Sequence, residues 1–299
     1  MIAFVILHYQ NIDFTYKCIN SIRNKIDTAE YKIIVVDNAS PNNSWSNLKT
    51  KYGSDEDIYL INSETNLGFA KGNNLGFRYA KNELAAKYIV LLNSDILILS
   101  ENIFEQINKI YESSHAGVVG PLIMSGDGRY TSNPSRFSPL TIKDVDEFIK
   151  DYSIRKFYLS KKWIGKIIEV SYINYLRIKR RLFNKNNSES IDPKKYFDVL
   201  ENVILHGCFL IFTPQYITKF DGLDPDTFMY CEEDIMYYRC FKEGIKMLYY
   251  PEIKVYHFER GSTEHNLGND DKKLFYYKNS LISLKILRTK IMEVSSNED

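Results

Sequence analysis

The run YIVLLNSD from Tyr88 to Asp95 constrains the chain most. Apolar residues continue to Leu92 and stop on Asn93, Ser94 and Asp95, which reads as a strand buried on both faces at the centre of an α/β sheet. Ligands collect beyond the carboxyl ends of such strands, so Asp95 is placed as an oxygen ligand for a divalent cation. The same carboxylate also suits the cap of the helix expected from about Glu101 to Ser113. The strand by itself supports both readings.

Strands and helices alternate around it. Ile2 to Leu7, Lys32 to Asp37 and Ile58 to Ile61 read as strands, while Phe14 to Arg23, Trp45 to Tyr52 and a segment ending near Asn82 have helical spacing. That order predicts a mostly parallel sheet with right-handed crossovers. Asp37, the glycine-rich turn from Asn66 to Asn74 and Asp95 then share one edge of the sheet. The chain has no G-x-x-x-x-G-K-[ST] loop and no G-x-G-x-x-G after the first strand, so P-loop and dinucleotide folds drop away. What remains is a base held through Asp37, whose carboxylate can accept the imide N–H of uracil or thymine, and a diphosphate held through a cation on Asp95. A turn-forming Asp37 satisfied by its own backbone is the plainer reading.

Charge and cysteine usage narrow the classes further. The 39 basic and 38 acidic side chains of the 299 residues nearly cancel, which argues against a nucleic-acid binder. Cys18, Cys208, Cys231 and Cys240 form no C-x-x-C pair and lie among apolar or aromatic neighbours. That pattern suits reduced thiols in a cytosolic protein better than a disulfide frame or a zinc site. The apolar N-terminus lacks a basic n-region and reads as a strand, and no stretch of about 18 to 20 apolar residues predicts a membrane span.

The second half begins with Val118 to Pro121 as a strand, followed by a change of character. From about Thr141 to Lys195 the pattern is helical, with Ile142 to Tyr152 and Trp163 to Phe183 as the expected helices. Ten Lys and Arg between Arg155 and Lys185 interleave with aromatic and aliphatic residues and face only Glu169. Such a block suits an anionic membrane surface, a dimer interface, or a solvated face over the protein's own core. Strand signals return from Val203 to Thr213, Lys246 to Tyr250 and Lys254 to His257. A short helix is expected from Pro214 to Phe220. Glu232, Glu233 and Asp234 open another that ends near Gly244; acids there suit the helix dipole, but three in succession exceed what a dipole needs. Lys272 to Ile291 repeats the basic amphipathic character.

Taken in order, VILHYQN (from Val5), VVDNAS (from Val35), NLGFAKGNNLG (from Asn66), LLNSD (ending at Asp95), GCFLI (from Gly207), FMYCEEDI (from Phe228) and VYHFERGS (from Val255) resemble the family 2 glycosyltransferases of the GT-A fold, in their rhamnosyltransferase-like bacterial branch. The resemblance implies an α/β fold with helices on both faces of the sheet. The transferase domain would span 1–265, with a basic helical insertion at 141–200 and a C-terminal amphipathic helix and tail at 266–299. It implies inverting transfer from a dTDP- or UDP-sugar, dTDP-rhamnose among them, to a hydroxyl of a glycan or lipid-linked acceptor, with Mn²⁺ or Mg²⁺ bridging the diphosphate. Leu7, Tyr9, Asp37, Asn66, Lys71, Asn73 and Ser94 would contact the nucleotide, and Asp95 and His257 the metal. Arg260, Glu232 and His206 would meet diphosphate or acceptor. Glu233 or Asp234 would be the catalytic base, with Asp234 slightly preferred. Asn93 replaces the first acid of the family's D-x-D motif, so cation binding would depend on the nucleotide diphosphate. Peripheral attachment to the inner face of a bacterial membrane, in surface polysaccharide synthesis, follows from the basic blocks together with this family.

Two rival classes share parts of the pattern. A sugar-phosphate nucleotidyltransferase would need a glycine-rich basic loop after the first strand, where this chain has His8 to Asn11. A non-catalytic nucleotide-sugar or glycan binder draws support only from Asn93.

Overall fold

The computed structural model describes residues 1–28, 30–126, 132–160, 171, 174, 193–259 and 269–296. Among them the chain runs β1 (Ile2–His8), α1 (Ile12–Lys25), β2 (Tyr31–Asp37), α2 (Ser44–Tyr52), β3 (Ile58–Asn62), α3 (Gly68–Asn82), β4 (Tyr88–Asn93), β5 (Ile96–Ile98), α4 (Ile103–Ser114), β6 (Val118–Ser125) and α5 (Ile142–Leu159). It continues through β7 (Leu200–Glu201), β8 (Phe209–Phe212), α6 (Pro214–Ile217), α7 (Glu232–Lys242), β9 (Met247–His257) and α8 (Asn269–Ser295).

One sheet takes the order β3-β2-β1-β4-β8-β6-β9-β5, with β7 paired to β9. The first four strands are parallel. From β8 onward the sheet is mixed: β8 is antiparallel to both β4 and β6, β9 parallel to β6, and β5 antiparallel to β9. The expected α/β sheet flanked by helices is present, with its parallel order concentrated in the N-terminal half. That half is linked by helical crossovers, whereas β8 enters beside β4 from the opposite direction.

β4 is central, and its side chains alternate between two cores. Tyr88, Val90 and Leu92 join one core with Cys18, Ile19 and Ile22 of α1 and Ile103, Ile107 and Ile110 of α4. Ile89 and Leu91 join the other with Phe77 and Ala80 of α3 and Met236 and Cys240 of α7. Burying each such aliphatic side chain contributes about 1.5–3 kcal/mol, which fixes the register and hence where Asp95 emerges.

Two strand expectations change. The run from Val203 to Thr213 keeps only Phe209–Phe212 as strand, apart from a bridge of Ile204 to Arg136, because the backbone N–H groups of His206 and Gly207 are taken by side chains. The two final strands are one, β9. Proline lacks an N–H for the ladder, and around Pro251 the pairing with β6 skips from Tyr250 to Lys254 while the chain stays extended.

α5 and α8 form a third layer beside α7. Thr141 and Asp144 make a reciprocal capping box that starts α5, which runs beyond Tyr152 to Leu159. Val145, Ile235, Leu284, Leu287 and Ile291 form the apolar centre of this layer. The apolar stripe of the C-terminal helix, offered by sequence to a membrane or a second subunit, is therefore buried on the protein's own helices. The expected Trp163–Phe183 helix and most of the basic block lie outside the described residues. Arg155, its first member, is bound to Asp151 at 2.8 Å and to the Tyr277 hydroxyl at 3.4 Å. No helix among the described residues is long and apolar enough to cross a membrane.

Candidate active site

The parallel register sets the donor side. His8 lies beside Asp37, and Leu7 beside Asn93, so β1 separates the ends of β2 and β4 by one strand on each side. With strands about 4.8 Å apart, these ends lie about 10 Å from one another, a span suited to a nucleoside and its phosphates. Asp37 is buried. Its Oδ1 accepts from the Ser40 N–H at 2.9 Å, and its Oδ2 has no partner among the described residues. Thus the turn-forming role of Asp37 is real but uses one oxygen, leaving the other unpaired among the described residues. Behind it His8 is clamped between Thr15 (2.7 Å) and Ser44 (2.9 Å), and burial lowers its pKa against the pull of Asp37.

The glycine-rich turn works differently from a phosphate cradle. Asn38 Nδ2 donates to Asn66 Oδ1 and to the Gly68 carbonyl, both at 3.1 Å, and Asn38 Oδ1 accepts from the Leu67 N–H. Gly68 has φ +76°, and a Cβ there would stand 2.0 Å from the Phe228 carbonyl oxygen. The next residue, Phe69, donates its N–H to that same oxygen. Further along α3, Asn74 holds both the N–H and the carbonyl of Leu223. The helix thereby anchors the loop that leads to Glu232. Of the residues assigned here to the nucleotide, Asn66 and half-buried Leu7, Tyr9 and Ser94 stay at the strand edge, and Lys71 is exposed. Asn73 is instead buried, with its amide on the Phe69 carbonyl.

At the end of β4 the Asp95 carboxylate is buried, with Oδ1 3.3 Å from His257 Nε2. Asp95 Oδ2 and His257 Nδ1 are buried without partners among the described residues. The Asp95 carboxylate, with Oδ2 unsatisfied, and the His257 Nε2 that faces it are an oxygen and a nitrogen donor that fit Mn²⁺ or Mg²⁺. Among the described residues no group of three or more His, Cys, Asp or Glu stands together as a metal site. The His206 ring stands 5.9 Å from that of His257; its Nδ1 accepts the Cys208 N–H, and burial lowers its pKa. Arg260 lies outside the described residues.

Across the cleft, Tyr230 and Cys231 hold φ of 75° and 66° immediately before α7. Two successive non-glycine residues in this sparsely populated region mark local strain. The turn splays the three acids apart. Glu232 is buried, accepts from the Thr227 hydroxyl at 2.9 Å, and is pushed up to about 8 by burial and by neighbouring Glu233. Glu233 Oε1 accepts the Gly207 N–H at 3.0 Å, in a space that a Cβ on Gly207 would invade at 2.6 Å. Asp234 is paired with Arg136; burial raises its pKa and the guanidinium opposes the rise. Asn93, Arg136, His206, Glu232, Glu233 and Asp234 share one cavity. Sequence reasoning missed Arg136, which sits in a loop with no periodic signal and meets Asp234 from 98 positions away.

Comparison with known proteins agrees with this geometry. The family model described as glycosyl transferase family 2 matches residues 3–184, and the chain belongs to that family. Rhamnosyltransferase WbbL of Escherichia coli K12 is 25% identical over 262 residues, covering 86% of this chain and 83% of WbbL. The low-salt glycan biosynthesis hexosyltransferase Agl10 of Haloferax volcanii is 34% identical over 97 residues, 32% of this chain but only 30% of Agl10. Two solved structures share the GT-A fold. S. aureus TarS 1–349 in complex with UDP has a TM-score of 0.51 at 14% identity, covering 96% of this chain and 65% of TarS 1–349. GalNAc-T7 with UDP, GalNAc and Mn²⁺ has a TM-score of 0.57 at 12% identity, covering 93% and 47% respectively.

Proposed function

We propose that the chain transfers a sugar, with inversion, from a dTDP- or UDP-sugar to a hydroxyl of a glycan or lipid-linked acceptor in surface polysaccharide synthesis. The observation that carries this reading is the pair of partnerless buried oxygens, Asp37 Oδ2 and Asp95 Oδ2, beyond the ends of β2 and β4 on either side of β1, with Asn93 of β4 sharing a cavity with the carboxylates at the start of α7. The nucleotide complexes of TarS and GalNAc-T7 support the donor class, and likeness to WbbL makes rhamnose the first sugar to try.

Asp37 Oδ2 accepts the N–H of the base, and Asp95 with His257 would hold Mn²⁺ or Mg²⁺. Such an ion, when bound, stabilises negative charge on the departing diphosphate. Between the two candidate bases the geometry favours Glu233, reversing the preference for Asp234. Arg136 engages Asp234 and keeps its carboxylate occupied, whereas Glu233 is oriented by one backbone N–H at the cavity wall. Glu233 takes the acceptor's hydroxyl proton as that oxygen attacks the anomeric carbon, and the bond to the diphosphate breaks on the opposite face.

Nucleotide release from a panel of dTDP- and UDP-sugars, with and without Mn²⁺ and acceptor, tests the reading. Acceptor-dependent release that falls about 10²-fold or more in Glu233→Gln supports it. Release from no donor, or full turnover in Glu233→Gln, refutes the corresponding part.

A further inference from the structure

The cavity that holds Glu233 and Asp234, about 350 Å³, continues away from the strand ends to a wall supplied by α5, α8 and the Tyr230 turn. The wall is an unbroken file of aromatic rings. Phe148 and Tyr152 have centroids 5.9 Å apart, Tyr152 and Tyr276 5.6 Å, and Tyr276 and Tyr230 4.9 Å. The Tyr152 and Tyr276 hydroxyls meet at 2.9 Å, which ties the two rings together at an interplanar angle of 57°. Polar groups border it. Arg136 Nε and Ser280 Oγ both line the cavity and are buried without a partner among the described residues, and Ser280 is only 2% exposed. Buried polar atoms left unpaired destabilise a fold unless a ligand or water completes them.

We propose that this cavity seats the terminal pyranose of the acceptor, with C–H groups of the ring packed against the aromatic wall of Tyr152 and Tyr276 and its hydroxyls on Arg136 and Ser280. The inference rests on the proposed transfer reaction and narrows its acceptor to a glycoside. A sugar ring is the occupant whose chemistry matches: one apolar face and a rim of donors and acceptors. A wholly apolar chain would seal Ser280 Oγ and Arg136 Nε unpaired. A second nucleotide would bring phosphate charge against Glu232, Glu233 and Asp234. Because the wall comes from α5 and α8, acceptor choice is separable from the donor elements of β1 to β4.

Saturation-transfer NMR on the full chain with UDP and Mn²⁺ present, using methyl pyranosides of glucose, galactose, N-acetylglucosamine and rhamnose as probes, tests the assignment. UDP affinity is measured in parallel by calorimetry. At least one glycoside should bind, and Tyr276→Ala should weaken it by about tenfold or more while UDP affinity stays within about twofold. Phe148→Ala, at a solvent-facing ring whose truncation spares the core, should weaken it in the same direction. Binding of no glycoside to protein that binds UDP, or unchanged glycoside affinity in both variants, overturns the acceptor assignment alone. Wild-type protein that binds neither UDP nor dTDP overturns the transferase reading, and the acceptor seat falls with it.

Discussion

Glu232 makes stability depend on pH in a direction that one substitution can isolate. Burial and the charge of Glu233 raise its carboxyl from the ordinary 4.5 to about 8. The folded protein therefore holds a proton there that the unfolded chain releases above about pH 4.5. Stability from this group is complete below that pH and is lost as pH rises toward 8. At about 1.4 kcal/mol per tenfold change in proton affinity, the interval caps the loss at about 5 kcal/mol. Relaxation of the site reduces the expected loss to about 2 kcal/mol. Glu232→Gln keeps an oxygen for the Thr227 hydroxyl and cannot ionise. Urea unfolding of both proteins from pH 5 to pH 9 should show the variant gaining on the wild type as pH rises, from a difference below about 1 kcal/mol at pH 5 to about 2 kcal/mol at pH 9. A stability difference that does not change with pH would refute the reasoning, because it would mean Glu232 titrates alike in the folded and unfolded chain.

Three further outcomes follow from single contacts. Gly68→Ala should lower stability by about 2–4 kcal/mol in the same unfolding assay, because its Cβ would meet a backbone oxygen at a positive φ where neither side can yield. Asp37→Ala should raise the UDP dissociation constant by about 10- to 100-fold in calorimetry and lower stability by about 1–2 kcal/mol, the cost of leaving the Ser40 N–H without its acceptor. Leu287→Ala, fully buried among α5, α7 and α8, should lower stability by about 2–4 kcal/mol and weaken glycoside binding more than UDP binding.

The donor half was legible because its strands and helices are written in periodicity. Val90 and Leu92 face one core and Ile89 and Leu91 the other, so an unbroken apolar run could only be a central strand. The C-terminal half was legible in motif but not in arrangement. The apolar run from Val203 suggested a strand through to Thr213, yet its ladder is interrupted where His206 bonds Asn133 and Gly207 bonds Glu233. Local pattern carries no sign of such long-range partners. Arg136 was invisible for the same reason, and its pairing with Asp234 is the contact on which the proposal of Glu233 as base rests. The amphipathic helix at the C-terminus posed a different limit: periodicity reports an apolar stripe, but membrane, second subunit and neighbouring helix all satisfy it. Leu284 and Leu287 are buried against α5 and α7.

The docking of α8 also bears on synthesis from the ribosome. The strands that hold Asp37 and Asp95 are complete once β4 has emerged, and β1, β2 and β3 pair among themselves without later residues. Tyr276 and Ser280 emerge almost two hundred residues later, as does Lys290, which pins Asp224 and Asp226 at 3.1 and 2.8 Å. During translation the N-terminal strands thus emerge long before the α8 residues that line the cavity with Glu233. A message broken before Asn269 would yield a protein missing α8 and the residues it contributes to the acceptor side.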